Sequence, residues 1–169
     1  MFGKIVQQNP DFLTIGNENN AVVMGKNTFN SLPKPLKDRD NIVISTTMET
    51  NKYKNVQVCD SWSYIKKNLS QYDDVYIIGG EEIYMTGIIS PYVSGIFHTV
   101  IKEDYDCDRY FPVIPNNFEK INIVKFKDID KITNKNVYFD IELYINSDYN
   151  DSEYSDSQLN YYKLNDNLM

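Results

Sequence analysis

The sequence predicts an α/β fold, a single domain with a mixed, mostly parallel sheet flanked by helices, and three observations predict it. Val75–Ile78 is a short apolar, β-branched run that stops at Gly79-Gly80, after which Glu81 and Glu82 open an apolar-periodic helix to about Ile89. The same order of strand, glycine and helix occurs earlier, in Ala21–Met24, Gly25 and Lys26–Leu32. A β-branched and aromatic strand, Gly95–Ile101, follows the helix after Gly79-Gly80, which reads as a right-handed parallel crossover from Val75–Ile78.

Composition bounds the rest. The 169 residues suit one domain, and 41% hydrophobic with 14% aromatic residues can fill a core. A net charge of −7 argues against an electrostatic nucleic-acid binder, which needs a basic face. No apolar run approaches the ~20 residues of a membrane span, and no signal peptide precedes the first strand, so a cytoplasmic chain is expected. Cys59 and Cys107 have neither metal-ligand nor redox spacing. With His98 the sole histidine, a His-rich zinc site is excluded and a Ser-His-Asp triad is disfavoured.

In chain order, Phe2, Ile5 and Val6 have the spacing of the end of an amphipathic helix, and polar Asn9–Asn20 reads as a loop. Ala21–Met24 is a buried strand, and Pro33 and Pro35 stop the short helix after Gly25. Lys26 and Thr28 at that helix start are either anion donors or a solvated lysine and a capping threonine. Pro33–Asp40 is a charged loop, and Asn41–Ser45 the next strand. Arg39, just before it, is either a solvated charge or a fork for a carboxylate. Val56–Cys59 is a further strand, and Ser61–Leu69 an amphipathic helix burying Trp62, Ile65 and Leu69.

The Gly79-Gly80 turn is either a tight strand-to-helix connection or a place where backbone N–H groups approach a phosphate. In Gly95–Ile101, Thr99 is either there by strand propensity or bonds a ligand, while His98 points to the opposite face and reads as structural. Asp104–Pro112 is an acidic turn, and Ile121–Phe126 with Asn136–Ile145 a closing antiparallel pair. Residues 1–146 form the domain, and 147–169 read as an acidic, polar, disordered tail, with a weak helix around Ser157–Leu164 as the alternative.

These blocks together resemble dihydrofolate reductase. AVVMGKNTFNSLPKPLKDRDNIVIST (21–46) resembles that family's strand, cofactor turn, substrate helix and second nucleotide strand. VYIIGGEEIY (75–84) resembles its Gly-Gly cofactor turn, IFHTVIKEDYDCDRYFP (96–112) the following strand and acidic turn, and VYFDIELY (137–144) its last strand. The resemblance covers about 21–146, with all four blocks in the family's order.

The resemblance implies an eight-stranded mixed sheet on which NADPH and dihydrofolate meet, and NADPH-dependent reduction of dihydrofolate to tetrahydrofolate. Gly25, Lys26, Asn27 and Thr28 would hold cofactor phosphates, with Lys26 pairing the 2′-phosphate. Ser45 and Thr46 would lie beside the adenosine. Gly79 and Gly80 would form a cis glycine pair, with Glu81, Glu82 and Ile83 at the pyrophosphate; the two acids suit that place only by pointing away. On the substrate side Arg39 would clamp the glutamate carboxylate, and Leu32 and Leu36 would line the pocket. Ile78 and Tyr84 would border nicotinamide and pterin, Thr99 would orient the pterin through a water or carboxyl group, and Phe2 would pack on a substrate ring.

The family's first, central strand, its mobile loop and its catalytic acid have no counterpart here. The acid would fall upstream of Met1, so no catalytic residue is assigned. Three outcomes are open for the missing strand: direct pairing of its neighbours, a strand from a partner chain in place of a monomer, or marginal folding. The alternative function is a catalytically incomplete remnant that binds nucleotide or acts as an interaction module. A related reductase acting on a ribityl-pyrimidine is disfavoured by Arg39 and Thr99, and derivation from a thymidylate synthase fusion stays open.

Overall fold

Ala21–Met24 and Asn41–Val43 are runs of consecutive buried residues, which suits strands covered on both faces. The computed structural model describes residues 19–49 and 53–149, without the side chain of Leu69. Phe2, Ile5, Val6, the loop up to residue 18 and the tail from residue 150 lie outside these residues.

The two runs form the centre of a parallel sheet of β1 (Ala21–Gly25), β2 (Asp40–Ile44), β3 (Val56–Cys59) and β4 (Val75–Gly79), in spatial order β3-β2-β1-β4. Helices α1 (Lys26–Ser31), α2 (Trp62–Asn68) and α3 (Glu81–Ile88) flank it. Strand alternation divides the core between the two faces. Val22, Met24, Val43 and Ile78 pack with Phe29 of α1 and with Leu32 and Leu36 beyond it. Ala21, Val23 and Ile42 pack with Ile65 and Trp62 of α2 and Ile83 of α3. The amphipathic reading of the second helix therefore holds at Ile65 and Trp62.

The second sheet is antiparallel, in order β5-β7-β6, from β5 (Gly95–Ile101), β6 (Phe118–Ile129) and β7 (Asn136–Asn146). β6 runs well past the expected Ile121–Phe126. It pairs along β7 as far as Ile129↔Asn136. As an edge strand exposed over most of its length, it needs no alternating apolar face, so its polar ends hid it from a hydrophobicity reading.

The α/β class and the mostly parallel, helix-flanked sheet hold, but two expectations need correction. β4 and β5 lie in different sheets, so Val75–Ile78 and Gly95–Ile101 do not form the expected parallel crossover within one sheet. Among the described residues there are sheets of four and three strands rather than one of eight. β4 takes its partner in β1, and β5 takes β7, from Gly95↔Ile145 to Ile101↔Phe139. Among the described residues, direct β4–β5 pairing is therefore not how the gap is met. Phe111 links α3 to the second sheet, its ring centroid 4.9 Å from that of Tyr84 and 5.0 Å from that of His98 of β5.

Candidate functional site

β1 and β4 are adjacent and parallel, so their C-terminal ends leave the sheet side by side, each through glycine into a helix. Such strand ends are where parallel sheets offer room for ligands. Gly79-Gly80 is a cis pair, as the resemblance implies, and Gly79 has φ +122°, a conformation closed to most side chains. A Cβ on Gly79 would stand 3.4 Å from Thr28 Oγ1 and 3.5 Å from the Tyr84 ring, and one on Gly80 3.5 Å from Thr28 Oγ1. On Gly25 it would meet Ile83 at 3.5 Å and the Gly80 nitrogen at 3.8 Å. Gly25, Thr28, Gly79, Gly80, Ile83 and Tyr84 are thus one cluster joining the two turns. Thr28 makes no capping bond to α1, which starts from Gly25 without a side-chain cap.

The acidic pair at the start of α3 divides. Glu81 takes Arg109 of the acidic turn at 3.4 Å, while Glu82 is exposed. Burial pushes the Tyr84 hydroxyl up to about 12, so it keeps its proton at neutral pH. A slip in pairing between Val23 and Met24 leaves Ile78 as an extra residue of β4, just before the glycines.

Beside α1, Lys26 Nζ donates to Thr47 Oγ1 at 2.9 Å. Thr47 N donates to Ser45 Oγ at 3.2 Å, and Ser45 N to the Cys59 carbonyl at 2.8 Å, which ties the β2 exit to β3. Lys26, Ser45 and Thr47 are therefore bonded together, while Asn27 and Thr46 are exposed nearby in sequence. Thr47 was not among the sequence candidates. Its signal was present as the third hydroxyl of Ser45-Thr46-Thr47.

Leu32, Leu36 and Ile78 share one apolar cluster. Arg39 lies near it in the chain, its Nε donating to the Lys37 carbonyl at 3.0 Å. The loop is fixed by Asn41, a fully buried residue that sequence reasoning passed over as part of a strand. Thr99 is half-buried in β5, level with Ile141 of β7, which in turn faces Val124 of β6. It lies in the other sheet, and the described contacts do not bring it to the Ile78 cluster. His98 faces the opposite way and meets Glu142 at 3.3 Å, as its structural reading requires. Phe2 lies outside the described residues.

Charge pairing separates these cations from others. Lys102 pairs with Asp140 at 2.7 Å, Lys120 with Glu142 at 2.6 Å and Arg109 with Glu81. Lys26 and Arg39 are instead held by neutral oxygens. In a chain of net charge −7, these two positive charges are held in place without a described ion pair, an arrangement suited to anions. Among the described residues no group of His, Cys, Asp and Glu could hold a metal ion. Nor is any described helix long and apolar enough to cross a membrane.

Comparison with known proteins gives a family. The family model described as dihydrofolate reductase matches residues 11–144. A dihydrofolate reductase of Drosophila melanogaster is 38% identical over 109 residues, 60% of this chain and 60% of its own length. One from Ureaplasma parvum is 37% identical over 102 residues, 60% of this chain and 64% of its own. A bifunctional dihydrofolate reductase-thymidylate synthase of Plasmodium chabaudi is 31% identical over 134 residues, 74% of this chain and 22% of its own. The matches to the first two relatives span 60% and 64% of their lengths.

Proposed function

This chain belongs to the dihydrofolate reductase family, and from that premise we propose that it reduces dihydrofolate to tetrahydrofolate with NADPH. The observation that carries the reading is the glycine cluster where β1 and β4 end, with Lys26 directly after Gly25 and Arg39 directly before β2, neither in a described ion pair. Lys26 and Arg39, which bracket Leu32 and Leu36 in the chain, suit a phosphorylated dinucleotide and a carboxylate-bearing substrate.

The donor set fits the cofactor. Gly25, Lys26, Asn27, Thr28, Ser45, Thr46 and the Gly79–Tyr84 turn would hold it, and NADPH would supply the hydride. The glycines let the two helix-opening turns pack closely on one another through Thr28. Arg109 draws charge from Glu81, which lowers the repulsion an acidic helix start would present to an anion.

For the substrate, Arg39 binds the glutamate carboxylate, where a planar fork gives two parallel bonds. Leu32, Leu36 and Ile78 form the apolar wall and exclude water beside the ring. Thr99 would orient the pterin through a water or carboxyl group. Pterin reduction also needs a proton, and we assign that donor to none of the described residues. We propose a cytoplasmic location, with which a reaction on two small soluble metabolites is compatible.

The test is NADPH oxidation by the purified chain, with and without dihydrofolate. Dihydrofolate-dependent turnover blocked by an antifolate is expected. Folded protein that binds neither NADPH nor an antifolate would overturn the reading.

A further inference from the structure

We propose that Thr47 sets the preference for a 2′-phosphorylated dinucleotide over its unphosphorylated counterpart, by holding the Lys26 ammonium at the exit of β2. The inference rests on the function proposed above and adds a positioning residue that the family resemblance did not supply.

Lysine is a flexible point charge with several rotatable bonds, so fixing its ammonium costs rotamer entropy. Here the 2.9 Å bond to Thr47 Oγ1 fixes it before any ligand arrives. The anchor is itself built: Thr47 N is tied to Ser45 Oγ, and Ser45 N to β3. A carboxylate in Thr47's place would hold Lys26 as firmly but would cancel its charge and repel a phosphate. A hydroxyl holds the cation and leaves the charge for the ligand. It also leaves the Thr47 proton free to reach a phosphate oxygen, since the bond from Lys26 uses only a lone pair. Lys26 and Thr47, 21 residues apart in sequence, thus form one phosphate-monoester clamp across the α1 start and the β2 exit.

The experiment measures binding of 2′,5′-ADP and of 5′-AMP by calorimetry to the wild type, Thr47→Val, Thr47→Ser and Lys26→Ala. Thr47→Val should lose about five- to tenfold in affinity for 2′,5′-ADP, in line with a charge-assisted bond near the surface, with little change for 5′-AMP. Thr47→Ser should keep the wild-type preference, and Lys26→Ala should lose most of it. Because Thr47 is exposed, the variants should melt like the wild type. Unchanged preference in Thr47→Val overturns the proposal, and so does a wild type that binds both probes equally. Dihydrofolate-dependent turnover in either case leaves the family reaction standing, so the two failures are told apart.

Discussion

The Asn41 side chain bonds both backbone groups of Leu36: Leu36 N donates to Asn41 Oδ1 at 3.0 Å, and Asn41 Nδ2 donates to the Leu36 carbonyl at 2.8 Å. The same amide nitrogen reaches the carbonyls of Arg39 at 3.2 Å and Asn55 at 3.3 Å. One fully buried carboxamide therefore fixes the loop that carries Arg39. Replacing it by Leu fills the space but strands several buried polar groups, each worth about 1–3 kcal/mol. Asn41→Leu should destabilise by about 2–4 kcal/mol in urea unfolding, within the usual range for a broken buried network. Affinity for dihydrofolate should fall more than affinity for NADPH. Equal losses for both ligands would mean that Asn41 serves the fold and not the Arg39 loop.

Arg39→Ala tests the other end of the site. Its guanidinium makes one described bond, to a backbone carbonyl, and no described ion pair, so removing it strands no partner carboxylate in the free protein. Stability should change little. On the proposed function, the dihydrofolate KM should rise by an amount equivalent to about 2–4 kcal/mol, with kcat less affected, as expected for losing a charge pair that substrate binding would desolvate. A pterin lacking the glutamate should show no such rise, and an unchanged KM for dihydrofolate removes Arg39 from the carboxylate role.

Much of this was legible in the sequence, for physical reasons. Apolar runs ending in glycine mark buried parallel strands and their turns, so β1, β4, Gly25 and Gly79-Gly80 could be read directly. Arg39 and Lys26 stood out as charges at strand boundaries. What could not be read was long-range pairing: that β5 joins β7 rather than β4 depends on partners dozens of residues away. Asn41 and Thr47 were hidden for a related reason. A polar residue opening an apolar strand shows its worth only when the loop it bonds is in place, and a hydroxyl only when the lysine it holds has folded beside it.

Two glycines should separate flexible from rigid neighbours. A Cβ on Gly87 would come within 2.6 Å of Ile77 Cδ1, the mobile end of a side chain. A Cβ on Gly95 would come within 2.7 Å of the Tyr144 carbonyl oxygen, which belongs to the β5–β7 ladder. Gly87→Ala can be absorbed by a rotamer change and gains helix propensity, so its cost should stay near or below 1 kcal/mol. Gly95→Ala must push strands apart and should cost about 2–3 kcal/mol. Thermal unfolding of both variants checks the order, and a Gly87→Ala protein less stable than Gly95→Ala would contradict it.

Glu142 should give the chain a distinct acid response. Burial raises its carboxyl, but bonds from Lys120 at 2.6 Å, Tyr144 Oη at 2.7 Å and His98 at 3.3 Å outweigh that and hold it down at about 2. In the unfolded chain the group titrates near 4.5. A depressed folded value means stability that is fully present above the unfolded value and is lost as pH falls through the folded one. Lys120, raised above its ordinary 10.5, keeps its charge throughout that window. Glu142→Gln should therefore melt well below the wild type at neutral pH, and the two melting temperatures should converge as pH drops from 4.5 towards 2. The deficit should also shrink in high salt at neutral pH less than for an exposed pair, because Glu142 is only 12% exposed. A gap in melting temperature that stays constant across the acid range would show that Glu142 contributes packing and not charge.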